Sequence, residues 1–336
     1  MKTEDLSNVI VYFDNQYVPL REARISILTH ALHYGTGVFD GIRGYYDEHQ
    51  EQLFLVRPME HYRRWKANSG ILRIGMAPDP SELCAITVEL IRRNQFKSHV
   101  YVRPLAYKSA ERIGVHPDNH DAFSLIVVPF GDYLDSKHGL HAGVVSWRRI
   151  EDNAIPSRAK ICGAYVNSAL AGDEARRNGF GEAIFLTEGG HVAEGATCNI
   201  FLVRAGKLIT PPGSENILEG ITRNSIIELA RNELHLEVIE RQVDRSELYL
   251  ADEMFFTGTA VEVAPIVRVD HRTVGSGAIG PVAAELKFLY MEATRGRLAA
   301  YRHWLLPAYE GVPAKHEEQE PELVGVGAND RDLWAV

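Results

Sequence analysis

Short β-rich runs and helical patterns take turns along this chain in two blocks, and a break at Pro129-Phe130-Gly131-Asp132-Tyr133 separates them. In the first block, residues 9–13, 53–56, 100–105 and 123–128 read as strands, and the spacing of apolar residues over 59–68 and 81–94 predicts helices. Pro58, Gly70 and Pro80 punctuate these helices at the ends where each residue type belongs. In the second block, strands are expected at 143–147, 182–186, 199–203, 236–241, 253–256 and 263–269, with helices at 165–178, 221–234 and 281–297. This pattern predicts an α+β chain of two units: a smaller one over 1–128, a connecting loop over 129–140 and a larger one over 141–306. No period of 20 to 50 residues recurs, so a solenoid or propeller is not expected.

Charge and cysteine content narrow the chemistry. The 36 basic and 45 acidic residues leave a formal charge of -9 and no basic footprint for nucleic acid or an anionic membrane. Five of those negative charges sit in residues 307–336, which carry seven acidic residues against Lys315 and Arg331; such a tail reads as a solvated, poorly ordered terminus. Cys84, Cys162 and Cys198 show no paired spacing, so neither a disulfide framework nor a four-thiolate zinc site is expected, and a reducing, cytoplasmic setting fits. No run reaches the length of a membrane span, and the N-terminus lacks the apolar stretch of a secretion signal.

Two tempting motifs fail on context. Gly275-Ser276-Gly277-Ala278-Ile279-Gly280 fits the dinucleotide pattern, but one helix later the chain runs into Trp304, Pro307 and the acidic tail, with no second strand to complete a βαβ unit. The 14 histidines include the pairs His30/His33 and His138/His141, yet no carboxylate or thiolate cluster completes a metal site.

Four other segments carry chemistry together. Ser157-Arg158-Ala159-Lys160 puts a lysine between a loop and a helix, with Tyr165 five residues on. Glu188-Gly189-Gly190-His191-Val192-Ala193-Glu194-Gly195 is a Gly-rich hairpin that leaves Glu194 beside an apolar strand. Leu218-Glu219-Gly220-Ile221-Thr222 opens a helix on a glycine turn, which leaves backbone N–H groups suited to a phosphate. Phe256-Thr257-Gly258-Thr259-Ala260 is a hydroxyl-rich turn after a strand. Alone, each is bland: a solvated lysine, a turn glutamate, a capping threonine. Together they offer an amine, an acid, an anion cradle and a phenol.

In that order and spacing the segments resemble the class IV, fold type IV pyridoxal phosphate aminotransferases, most closely the branched-chain amino acid aminotransferases. The likeness extends to about Arg297 and includes His30-Ala31-Leu32-His33-Tyr34-Gly35-Thr36-Gly37-Val38-Phe39-Asp40-Gly41-Ile42-Arg43, then Glu60-His61-Tyr62-Arg63-Arg64, then Tyr101-Val102-Arg103-Pro104-Leu105. The resemblance implies pyridoxal 5'-phosphate as cofactor, held by Lys160 as a Schiff base, with Lys160 also the proton carrier. It implies Glu194 at the pyridine nitrogen, Tyr165 at the phenolic oxygen, and Arg64, Leu218, Gly220, Ile221, Thr222 and Thr259 around the remainder of the cofactor. For the substrate it implies an apolar wall of Tyr34, Phe39, Tyr101 and Tyr133, α-carboxylate contacts from Tyr101, Thr259 and Ala260, and Arg103 for the distal carboxylate of glutamate or 2-oxoglutarate.

Ile113-Gly114-Val115 resembles a family loop that enters the neighbouring subunit's site, with Val115 as its substrate contact, so a homodimer or higher homo-oligomer is implied. The implied reaction passes an amino group between branched-chain L-amino acids and 2-oxoglutarate. One departure stands out: Thr197-Cys198-Asn199 occupies the place where the branched-chain enzymes usually have Gly-Glu-Asn. D-amino acid and (R)-amine transaminases and aminodeoxychorismate lyase share the fold and stay open as alternatives, as does a catalytically silent binding protein on this scaffold.

Overall fold

A computed structural model describes residues 6–75, 78–131 and 136–309 of the 336-residue chain. The N-terminal half opens with β1 (Ile10–Phe13), β2 (Gln16–Pro19), α1 (His30–Tyr34), β3 (Gly37–Phe39), β4 (Ile42–Asp47) and β5 (Gln52–Val56). It continues with α2 (Pro58–Ile71), α3 (Pro80–Asn94), β6 (Val100–Lys108) and β7 (Asp121–Pro129). The second half supplies β8 (Leu140–Arg148), α4 (Tyr165–Arg177), β9 (Glu182–Leu186), β10 (Val192–Gly195), β11 (Asn199–Arg204) and β12 (Lys207–Thr210). After these come α5 (Ile221–Asn232), β13 (Val238–Glu240), β14 (Glu253–Gly258), β15 (Glu262–Val269), β16 (Arg272–Thr273), α6 (Pro281–Thr294) and β17 (Leu305–Pro307).

The strands form two sheets. The first runs β17-β5-β4-β6-β7-β1-β2, with β3 also on β6; the second runs β10-β9-β8-β15-β14-β11-β12-β13, with β16 on β15. Pro at the first turn starts α2, α3 and α6, where its missing N–H costs nothing. The first sheet packs Val100, Val102 and Leu125 against Leu83, Leu90 and Trp65 of α2 and α3 in one core.

That core also takes in Ala159, Ile161 and Ala164 from the second half of the chain. Phe39 donates its N–H to the Lys160 carbonyl at 3.0 Å, Val38 bridges Ile161, and the Ile161 N–H turns back to the Ala159 carbonyl at 2.9 Å, so residues 159–161 form a tight turn held against β3. Ala159 and Ile161 are buried on either side of this turn, and Lys160 at its centre lines the cavity described below.

Residues 307–309, read from sequence as the start of the acidic tail, belong to the first sheet: β17 pairs with β5, Ala308 is buried, and Tyr309 exchanges two hydrogen bonds with Gln52 at 2.8 and 2.9 Å. The residues after a long crossing thus return to the sheet where the chain began, and residues 310–336 lie outside the described residues. The dinucleotide-like glycines form the approach to α6, whose first amides, Val282 and Ala283, are taken by the Glu253 carboxylate at 3.1 and 2.8 Å. An anion has no place there. Among the described residues no helix is long and apolar enough to cross a membrane.

Candidate active site

A cavity of about 490 Å³ lies where the two sheets meet, and Lys160 faces it. The Lys160 Nζ donates to the Tyr165 Oη at 2.6 Å and sits 5.2 Å from the centres of the Phe39 and Tyr165 rings. The tight turn at 159–161 thus delivers the amine, and the first residue of α4 delivers the phenol beside it.

Glu194 reaches the cavity from the edge strand β10, within a register shift between Val192 and Gly195. One carboxylate oxygen pairs with Arg149 Nη2 at 2.8 Å; the other accepts from Asn199 Nδ2 at 3.0 Å and the Leu218 N–H at 3.2 Å. Burial pushes the Glu194 carboxyl up from its ordinary range, and Arg149, the Leu218 amide, Lys160 and Arg223 act against that rise. Arg149 and Asn199 are absent from the residues proposed from sequence. Arg149 lies 45 positions before Glu194 at the far end of another strand, and no local pattern announces such a pair.

The anion cradle lies where the glycine turn predicts it. Gly220 caps α5 in extended geometry, and no side chain caps the first turn, so the amides of Ile221 and Thr222 are open toward the cavity. A Cβ at Gly220 would stand 2.1 Å from the Asn199 side-chain oxygen, which explains the glycine without appeal to an unusual φ. Arg64 comes over from α2: its Nη1 donates to the Glu219 carbonyl at 3.1 Å, while Nε and Nη2 donate to Asp40 at 2.9 and 2.7 Å.

At the other end Tyr101 and Arg103 share the face of β6 that alternation predicts, and both line the cavity. Arg103 Nη2 donates to the Tyr101 Oη at 3.0 Å, and its guanidinium lies 4.4 Å over the Phe39 ring. Its Nε is buried without a hydrogen-bond partner, and no described carboxylate pairs with it. Phe130, which the sequence places in the break between the two blocks and not in the site, completes this wall by packing on Tyr101 with ring centres 5.0 Å apart. Thr259 and Ala260 line the cavity from the turn after β14.

Two proposed contacts are not in this cavity. Tyr34 is exposed and its Oη accepts from the Gly114 N–H at 3.0 Å, so it belongs with the 113–115 loop, where Val115 is also exposed. Within one chain, neither reaches the substrate end. Tyr133 lies outside the described residues. At the departure from the usual motif, Cys198 is buried against Gly195, and burial followed by Glu182 and Glu194 pushes its thiol well up, so it packs as a neutral group.

The polar lining fits a flat, phosphorylated aromatic cofactor of the kind the sequence implies. An amine beside a phenol, a buried carboxylate and an uncapped helix start with a guanidinium surround one space, and the Thr257 hydroxyl on its wall is buried without a partner. The amino-transferase class IV family model matches residues 37–269, which include strands of both sheets and all the cavity-lining residues named above.

The chain belongs to the class IV aminotransferases. It is 47% identical over 300 residues to a probable branched-chain-amino-acid aminotransferase of Aquifex aeolicus, covering 89% of this chain and 96% of the relative. The solved branched-chain aminotransferase of Thermoproteus uzoniensis, with norvaline, superposes with a TM-score of 0.86 at 39% identity, covering 90% of this chain and 99% of that one. A branched-chain amino acid aminotransferase from T.th., in complex with N-(5'-phosphopyridoxyl)-L-glutamate, gives 0.85 at 38% identity and covers 90% and 100%.

Proposed function

We propose that this class IV aminotransferase transfers the amino group of branched-chain L-amino acids to 2-oxoglutarate, using pyridoxal 5'-phosphate. The observation that carries the substrate reading is Arg103: a guanidinium over an aromatic wall, with a buried Nε that has no partner and no described acid to pair with. An acidic side chain satisfies it, and an apolar one packs on Phe39, Tyr101 and Phe130 beneath it. Relatives solved with norvaline and with a glutamate adduct support a site that takes both kinds.

When bound, the cofactor supplies an electron sink for the bond broken at the substrate's Cα. Lys160 holds it and then moves the proton at Cα, with its Nζ steered by the Tyr165 hydroxyl. Glu194, flanked by Arg149, would pair as a carboxylate with the ring nitrogen and favour its protonated form. Arg64 and the Ile221 and Thr222 amides bind the phosphate. Tyr101, Thr259 and Ala260 hold the α-carboxylate.

Tyr34 and Val115 act from a second copy. The 113–115 loop exposes Ile113 and Val115, and an apolar groove of about 300 Å³ lined by Ile25, Leu32 and Leu105 opens on the same chain. A homodimer covers such surfaces. The three free thiols suit a reducing cytoplasm.

Single-turnover reactions of the loaded enzyme with leucine, glutamate, D-alanine and an (R)-amine test the proposal. Leucine and glutamate are expected to discharge the yellow cofactor, whereas a response to D-alanine or the (R)-amine alone would overturn it.

A further inference from the structure

We propose that Asp40 is the positioning residue of the phosphate arginine, fixing the Arg64 guanidinium so that its Nη1 edge is presented to the open start of α5. The proposal rests on the reading of Arg64 as a phosphate ligand.

Asp40 stands between Phe39 and Gly41, both on the cavity wall, yet its own side chain is fully buried and does not line the cavity. A ligand in the cavity therefore meets Arg64 and not Asp40. Its two oxygens gather four donors: Arg64 Nε at 2.9 Å on one, and Arg64 Nη2 at 2.7 Å, His61 Nδ1 at 2.9 Å and the Gly41 N–H at 2.7 Å on the other. Burial alone would raise this carboxyl, but Arg64 and His61 overcome it and hold it far below the usual carboxylate range. Burial, with the nearby charges of Arg64 and Lys160, lowers His61 against the pull of Asp40, so the imidazole is neutral and gives its single N–H to Asp40.

The side-on pairing uses Nε and Nη2 and fixes the plane of the guanidinium. The remaining nitrogen, Nη1, lies against the carbonyl of Glu219, one residue before the glycine that caps α5. A long, flexible side chain is thereby ordered before any anion arrives, which removes an entropy cost from binding.

Charge alone argues for the opposite outcome. A carboxylate behind the arginine repels a phosphate, so Asp40→Asn would tighten phosphate binding if Coulomb attraction decided the matter and loosen it if orientation does. The sign of the effect separates the two.

The experiment titrates the apo forms of the parent protein, D40N, R64A and the double variant with pyridoxal 5'-phosphate and with pyridoxal, which lacks the phosphate. The ratio of the two affinities is read within each variant, so a general loss of stability cancels. D40N is expected to lower the phosphate ester's affinity about tenfold and to leave that of pyridoxal unchanged, and adding D40N to R64A is expected to cost nothing further. Equal losses for both ligands, or tighter binding of the phosphate ester, would overturn the proposal. An unchanged ratio in R64A would overturn the reading of Arg64 and Asp40's role with it; a shifted ratio in R64A but not in D40N would overturn Asp40's role alone. Should D40N not fold, D40E keeps the charge and displaces the carboxylate by one methylene. A ratio lowered by a smaller factor is then expected, and an unchanged one would overturn the proposal.

Discussion

At the end of the cavity that holds Glu194 and Arg64, each charged side chain already has its partner, Arg149 for one and Asp40 for the other. At the end lined by Tyr101 and Phe39, the Arg103 guanidinium meets a phenol and two ring faces but no described carboxylate. A cofactor that stays through every turnover rewards groups fixed in advance, because their ordering is met once, during folding. A site that must accept leucine and then an acidic partner keeps one cation uncommitted. A permanent partner there would compete with the acidic substrate, and a second cation would exclude the apolar one.

Breaking the fixed end should have the largest effect. Lys160→Ala is expected to lower transamination about a thousandfold or more and to abolish borohydride fixation of the cofactor to the chain, checked by turnover assay and by mass spectrometry of the reduced protein. A full yield of fixed cofactor in the variant would remove Lys160 from its role.

Glu194→Gln comes next, with a fall in kcat of about a hundredfold. Its pH behaviour sharpens the point. Because burial raises the Glu194 carboxyl, the group takes up its proton above the ordinary carboxylate range as pH falls, and the charge that favours a protonated ring is lost there. Cofactor affinity of the apo protein should weaken on acidification from that point. In Glu194→Gln this component is absent, so the difference between the two titrations isolates it. Superimposable pH profiles would contradict the assignment.

Arg64→Ala should reduce cofactor affinity by roughly 1.5 to 3 kcal/mol, the scale of a charged hydrogen bond. Equilibrium titration of the apo protein measures it, with circular dichroism to show that the fold persists.

How much of this contrast is legible in the sequence depends on how each contact is encoded. Lys160 with Tyr165, Gly220 ahead of Ile221, and Tyr101 with Arg103 are local spacings, and the structure brings all of them to one cavity. The partners are not local. Asp40 reaches Arg64 across 24 residues, Arg149 reaches Glu194 across 45, and Phe130 meets Tyr101 only because β7 returns beside β6. An aspartate inside an apolar motif or an arginine after a strand carries no mark of the group that it will meet.

Fold features follow the same division. The helices started by Pro58, Pro80 and Gly220 were readable from their caps. By contrast β3, β10 and β17, three or four residues each, owe their existence to the strands beside them and are too short to show a period. Tyr34 shows the limit of a motif carried over from relatives: it names a residue type at a position, and the chain places that side chain against the 113–115 loop, outside its own cavity.

The claim that a single uncommitted guanidinium lets one cavity serve two kinds of substrate is tested most directly by Arg103→Leu. Paired single-turnover titrations with glutamate and leucine measure kcat/KM for each half-reaction on the parent protein and the variant. The expected result is a loss for glutamate at least about tenfold greater than for leucine, the scale of one charge-assisted hydrogen bond. Equal losses would mean that Arg103 holds the α-carboxylate or the wall itself, and a loss confined to leucine would contradict the apolar pocket.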